Sequence, residues 1–406
     1  MENEKKSGDK YSKLAGNTLI FAISSFSSKL LTLIVQPFLT YAMAEISDLG
    51  LSKILSQHST RMPKPPRMVS RPLVNTCFSL LPLSRPKRMM AIISGDLSSV
   101  LFLMFTGKLW NYVELKGINK DLWKQMLRFS LPMIPAQISF WIINASDLFF
   151  VREMCNGLDG RDGNAWSGLL STGYFLPTIL TTLGLIFYDA WQLSAVTEEE
   201  GRAKFFTKIF RTYSSVLFCC AAGIIWLCRP VMHVMKSNYY YAWHFVPFLV
   251  LASTCSCFNQ FMNSVYVVNK KSARSMITMM AGAVSNCIMN YFFIKWWGPV
   301  GATYASFLGL ALVFTLRAID AHRMIGMQVH PGRVLVNAAA LVIEAFVLLA
   351  ETPLYGLWTG IITALIILYN FAGVWAMARV LLPKLLGRRG KALVNVIDGW
   401  IAPKKA

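Results

Sequence analysis

The sequence predicts an all-α, polytopic helical membrane protein with about ten transmembrane helices. Three observations carry that expectation. Hydrophobic residues make up 55% of the 406 residues, and the mean hydropathy is +0.46. Charged residues reach only 15%, against roughly 25% in an ordinary soluble domain. The apolar residues also lie in blocks of about 20 or more, the length that crosses about 30 Å of hydrocarbon at 1.5 Å per residue. These features exclude a disordered chain, a collagen, a disulfide-rich secreted scaffold and a soluble multi-domain enzyme with polar linkers.

Taken in order, the spans fall near 17–43, 90–109, 129–151, 167–192, 209–235, 243–268, 275–296, 299–318, 333–351 and 354–380. The first precedes Ala42-Met43-Ala44, which mimics a cleavage site. Its apolar run is nearly twice the 7–15 residues of a signal core, so it reads as an uncleaved span. Pro132, Pro135, Pro177 and Pro247 lie within or at the start of later spans, where a missing N–H and a ring clash kink or break a helix. The organisation expected is an N-terminus with the first helix (1–43), an atypical Pro/Arg-rich segment (44–89), and a helix with its connection (90–128). Six helices (129–326), two more (327–383) and a basic tail (384–406) follow.

The chain carries 40 Lys and Arg against 20 Asp and Glu, a net charge of +20. In a membrane protein the position of charge matters more than its total. With the N-terminus inside, the inner connections hold 26 basic residues and the outer ones, leaving out 44–89, only Arg152, Arg161, Lys236 and Lys295. That split follows the positive-inside rule and puts both termini in the cytoplasm, with no need for a nucleic-acid partner. The eight cysteines show no zinc spacing and read as small buried hydrophobes.

Residues 44–89 break the rule. They hold eight basic residues and six prolines in a stretch that parity places outside, and Pro72 to Leu83 is too short to cross. Two readings stand: a basic outer loop that binds anionic headgroups or teichoic polymers, or a frameshift or deletion scar in place of several helices.

Downstream, Leu127-Arg-Phe-Ser-Leu-Pro-Met-Ile-Pro135 opens a span that continues through Trp141-Ile-Ile-Asn-Ala-Ser-Asp147. Gly173-Tyr-Phe-Leu-Pro-Thr-Ile-Leu180 and Ala190-Trp-Gln-Leu-Ser-Ala195 follow, with Glu198 to Glu200. Next come Val246-Pro-Phe-Leu249, Asn269-Lys-Lys271, Asn286 to Asn290 and Gly298-Pro-Val-Gly-Ala302. Near the start stand Asn17-Thr-Leu-Ile-Phe21, Ser27-Ser-Lys-Leu-Leu31 and Pro37. In order and spacing these motifs resemble the polysaccharide biosynthesis flippases, the oligosaccharide–lipid exporters of the multidrug/oligosaccharidyl-lipid/polysaccharide superfamily. The resemblance covers residues 10–43 and about 90–383. It implies a two-lobe bundle around a central cavity, with the spans from 129 to 318 as the second lobe, two additional helices, and an incomplete first lobe. The implied activity is translocation of a lipid-diphosphate-linked oligosaccharide across the bacterial inner membrane for surface polysaccharide assembly. No bond is made or broken, so the chain is not expected to be an enzyme. The implied partners are that lipid-linked oligosaccharide, membrane lipids and other polysaccharide assembly proteins; the implied cofactor is none beyond a coupling proton or sodium ion. Two alternatives stay open: a cation-coupled multidrug exporter of the same superfamily, and an inactive truncated remnant.

An ionisable side chain deep in a membrane is costly, so it marks a cavity, a partner or an ion path. Lys29 lies near the middle of the first span and would face the cavity to neutralise a diphosphate, or pair with a carboxylate. Asp147 and Asp189 lie near the ends of their spans, where each would carry a coupling ion or act as an interfacial cap facing water. Arg128, at a cytoplasmic span end, would gather an anionic headgroup or simply fix topology. Arg229 reads as a snorkelling side chain, and Glu344 as a buried helix–helix hydrogen bond. Trp141, Trp191, Trp243, Trp296 and Trp297 read mostly as an interfacial aromatic belt.

Overall fold

The computed structural model describes residues 120–197, 201–235, 237–351 and 353–401. Lys29, the first two expected spans and the 44–89 segment lie outside the described residues. All regular structure among the described residues is helical: α1 (Lys120–Ser130), α2 (Met133–Met154), α3 (Gly163–Gly173), α4 (Phe175–Thr197), α5 (Arg202–Trp226) and α6 (Cys228–His233). Then come α7 (Val246–Val268), α8 (Ser272–Trp297), α9 (Gly301–Ile325), α10 (Pro331–Leu349) and α11 (Tyr355–Ile401), with short 3₁₀ turns at Leu158–Gly160, Ser237–His244 and Gly298–Val300. Among the described residues, six stretches are long and apolar enough to cross a membrane, and seven if the Ser237–His244 turn and α7, bent by 57°, count as one. The fold is thus compatible with a multi-pass membrane protein.

Prolines decide where the expected spans break. A proline ring clashes with the carbonyl four residues earlier and offers no N–H to it. Pro177 therefore acts on Gly173, and the span expected over 167–192 divides at Tyr174 into α3 and α4. Pro230 acts on Trp226, and the span expected over 209–235 divides at Leu227 into α5 and α6. Pro247 occupies the first turn of α7, a place that tolerates the missing donor. Asp162 caps α3 by accepting from the Ala165 N–H at 2.7 Å.

The stretch Ser272–Ile325 is a hairpin rather than one long rod. Arg317 of α9 meets Thr278 and Ser275 of α8, Gly309 lies against Asn286, and Gly301 against Phe293. The turn needs glycine at 298, where φ is +64° and ψ −152°, a region closed to L side chains. Gly301, Ala305 and Gly309 recur at four-residue intervals on α9, and small residues so spaced let membrane helices approach closely.

Buried α7 forms the centre of the bundle and packs on α9, α4 and α5, while α8 packs on both α9 and α2. Trp191 of α4 stacks on Phe261 of α7 at 4.7 Å and donates to the Ser264 hydroxyl at 2.9 Å. Trp191 and Trp243 are buried in the bundle, which corrects their assignment to an aromatic belt; Trp296 and Trp297 are exposed. A buried indole is satisfied when its N–H finds an acceptor, as Trp191 does.

The last two helices pack on α5. Arg229 reaches the turn between α10 and α11. Its guanidinium lies 4.0 Å from the Trp243 ring and 4.4 Å from that of Tyr355, and it pairs with Glu351 at 3.1 Å. Asp398 accepts from the Trp375 indole at 2.8 Å and from Arg379 at 2.5 Å. A straight helix would separate residues 375 and 398 by about 34 Å at 1.5 Å per residue. The helical chain of α11 therefore turns back on itself between Arg379 and Asp398, a stretch that contains Pro383.

Candidate functional site: a buried carboxylate where membrane helices meet

Asp147 stands seven residues before the end of α2, about 10 Å along the helix. It faces the seam formed by α8, α9 and the α3–α4 break, and it has no solvent exposure. That corrects the reading of an interfacial cap facing water. The Tyr174 hydroxyl donates to Oδ2 at 2.8 Å, and the Ser306 hydroxyl donates to the same oxygen. Asn290 Nδ2 donates to Oδ1 at 2.8 Å. Ser146 donates to Asn286 Oδ1 at 2.8 Å, and Asn290 Nδ2 also reaches Ser146 and Asn286.

Local sequence explains the convergence. Asn286 and Asn290 are four residues apart and so share one face of α8. Ser306 lies on the close-packed face of α9, beside Ala302 and Ala305. Tyr174 is the residue at which Pro177 interrupts the helix, and the break lets its ring reach across to α2. Three donors compensate a carboxylate that burial alone would leave at high cost.

Two polar atoms of this cluster, Asn290 Oδ1 and Asn286 Nδ2, are buried without a hydrogen-bond partner. Each such atom costs about 1–3 kcal/mol, and unsatisfied groups concentrated at one point mark a site. The cluster offers one carboxylate with amide and hydroxyl oxygens, a donor set suited to a hard monovalent cation or to a proton held on the carboxylate. Among the described residues no three His, Cys, Asp or Glu side chains gather to hold a metal ion.

The other sequence candidates do not join Asp147. Arg128 is exposed at the end of α1. Asp189 is half-buried on α4, eight residues before the end of that helix; since α4 runs on to Thr197, Asp189 lies deeper than a span ending at 192 implied. Glu344 is fully buried and accepts from the Thr363 hydroxyl at 2.9 Å, while its Oε2 has no partner.

A second buried charge escaped the sequence reading. Arg317, at the end of the span expected over 299–318, is enclosed by α7, α8 and α9. It donates to the Asn259 carbonyl at 2.7 Å, to the Ser275 hydroxyl at 3.0 Å and to Thr278 at 3.3 Å. Ser275 in turn donates to Asn263 at 2.8 Å, and Asn263 to the Tyr188 hydroxyl at 3.4 Å. No carboxylate among the described residues pairs with Arg317. The one signal for it in the sequence was its place at the end of an apolar run; the continuation of α9 to Ile325 and the packing of α7 and α8 against it put it inside the bundle.

Comparison with known protein families, with characterised proteins and with solved structures finds no match to this chain.

Proposed function

We propose that this chain is an alternating-access carrier of the polysaccharide-flippase type, moving a lipid-diphosphate-linked oligosaccharide across the bacterial inner membrane with both termini in the cytoplasm. The observation that supports the reading most is Asp147: a carboxylate without exposure, wrapped by polar side chains, inside a bundle of membrane-length helices. Ionisable groups in that setting carry ions or protons through membrane carriers, and discontinuous helices like the α3–α4 pair build such sites. Asp147 would take up the coupling proton or sodium ion, using Asn290 and Ser306 as companion ligands. Lys29 and Arg128 would serve the diphosphate head. The motif order from Leu127 to Ala302 favours this substrate class over a drug, although a cation-coupled drug exporter would use the same carboxylate.

Complementation of a flippase-null strain tests it. The native chain should restore surface polysaccharide, Asp147→Asn should abolish the restoration at equal membrane abundance, and Lys29→Ala should reduce it. Failure of the native chain to restore glycan would refute carriage and favour the remnant. Drug resistance without glycan would favour the exporter.

A further inference from the structure

Glu344, like Asp147, is a carboxylate without exposure on a membrane-length helix, but its surroundings are much barer. Its neighbours Ile343 and Phe346 are exposed, so α10 turns the carboxyl inward from a face that otherwise meets lipid. Thr363 of α11 donates to Oε1 at 2.9 Å, and Oε2 has no partner. A hydroxyl can donate to an ionised carboxylate and can turn to accept from a protonated one. Thr363 therefore serves both charge states, and among the described residues no ion pair fixes the charged form.

Polar groups continue from Glu344 toward the C-terminal end of α10. Cys228 of α6 lies within electrostatic reach of both Glu344 and Arg229. Arg229 Nε is a buried donor without a partner, and its Nη2 pairs with the half-exposed Glu351, beside which stands His244. Buried polar atoms left over by the protein are the places where internal water binds. In the other direction the next polar side chain on this face is Asn337, seven residues or about 10 Å away, with buried Leu341 between them. The helices packed on α10 are α5, α7 and α11. Beyond Arg211 in α5, throughout α7, and in α11 up to Arg379 they contain no charged residue. Their thiols and phenols are neutral below about pH 8. The charges that bear on Glu344 are thus Arg229 with its partners and, about 16 Å along its own helix, Arg333.

We propose that Glu344 is a reversible proton-binding site, served in both charge states by Thr363 and reached from the membrane side that bears Glu351. An ionisable group held among membrane helices marks a functional site, above all a proton relay. One carboxylate and one hydroxyl supply too few oxygens for a metal cation, so the ligand is a proton. The site is separate from Asp147 and does not depend on what the bundle carries.

The test uses the full chain in sealed right-side-out and inverted vesicles whose inner and outer pH are set separately. N,N′-dicyclohexylcarbodiimide enters the bilayer and adds to a protonated carboxyl, leaving an N-acylurea that peptide mass spectrometry reads. A water-soluble, impermeant carbodiimide marks the exposed Glu351 and so identifies the compartment that its turn faces. Labelling of Glu344 should be absent in Glu344→Gln, and it should fall as the pH of the Glu351 compartment rises from about 6 to about 9. Thr363→Val removes a donor to the ionised form and should move that fall to a proton concentration about tenfold lower. Labelling that ignores pH in both compartments, or its absence from the native chain, would overturn the proton site and leave Glu344 as a fixed link between α10 and α11. Labelling that follows the opposite compartment would overturn the route past Arg229. Loss of glycan restoration in the complementation assay would leave each of these readings unchanged, so the two proposals fail separately.

Discussion

Replacing Asp147 by leucine and by asparagine separates its hydrogen bonding from its charge. Leucine removes the acceptor for Tyr174, Ser306 and Asn290, three donors that now converge on one carboxylate. A hydrogen bond between membrane helices contributes about 0.6 kcal/mol on average and about 1.7 at most. The three together give about 2 kcal/mol of destabilisation, which lowers the ratio of folded to unfolded chain by about 30-fold. Asparagine keeps an acceptor for Asn290 and presents an amide to two hydroxyls that can turn to accept it, so its cost should stay below about 1 kcal/mol. Equilibrium unfolding in mixed detergent micelles measures both variants. A leucine variant as stable as the native chain would refute the view of Asp147 as the centre of this seam. An asparagine variant as damaged as leucine would show that the negative charge itself holds the helices.

Three further outcomes follow from the same geometry. Arg229→Ala should cost about 1–2 kcal/mol through the loss of two aromatic contacts, whereas Glu351→Gln should cost under about 1 kcal/mol because Glu351 is 54% exposed; thermal melting that ranks them the other way would refute the stacking argument. Burial pushes the Cys155 thiol up to about 11. At pH 8 its reactive thiolate is then about 100-fold scarcer than for a thiol near 9, so peptide-level alkylation should spare Cys155 and recover as the pH approaches 11. Gly282→Ala would drive a Cβ into Val313 Cγ2, an overpacking cost of about 1–3 kcal/mol; a second change, Val313→Ala, should restore much of the lost melting temperature.

The helices were the legible part of this chain. Hydropathy reports the length of an apolar run, and the expected spans from residue 129 onward each coincide with helix among the described residues, with boundaries corrected by Pro177 and Pro230. What hydropathy does not report is azimuth. In lipid both the outer face and much of the inner face of a helix are apolar, so the 3.6-residue contrast that marks the core side of a soluble helix is weak. Asp147 was visible as a charge in a greasy run, yet its burial depended on Tyr174, Asn286, Asn290 and Ser306, which come from three other parts of the chain. Trp191 and Trp243 belong to residue types common at interfaces, and only neighbours such as Phe261 and Arg229 put them inside.

The sequence by itself determined that the described residues form apolar helices of membrane-spanning length, which stretches are helical, and that Pro177 interrupts one of them. Only the tertiary structure decided which polar side chains share a seam, that Arg317 is enclosed, and that the tail returns to Arg379. The reason is physical: the length and hydrogen bonding of a membrane helix are local properties, whereas the partner of a buried charge is chosen by the rotation of each helix against its neighbours.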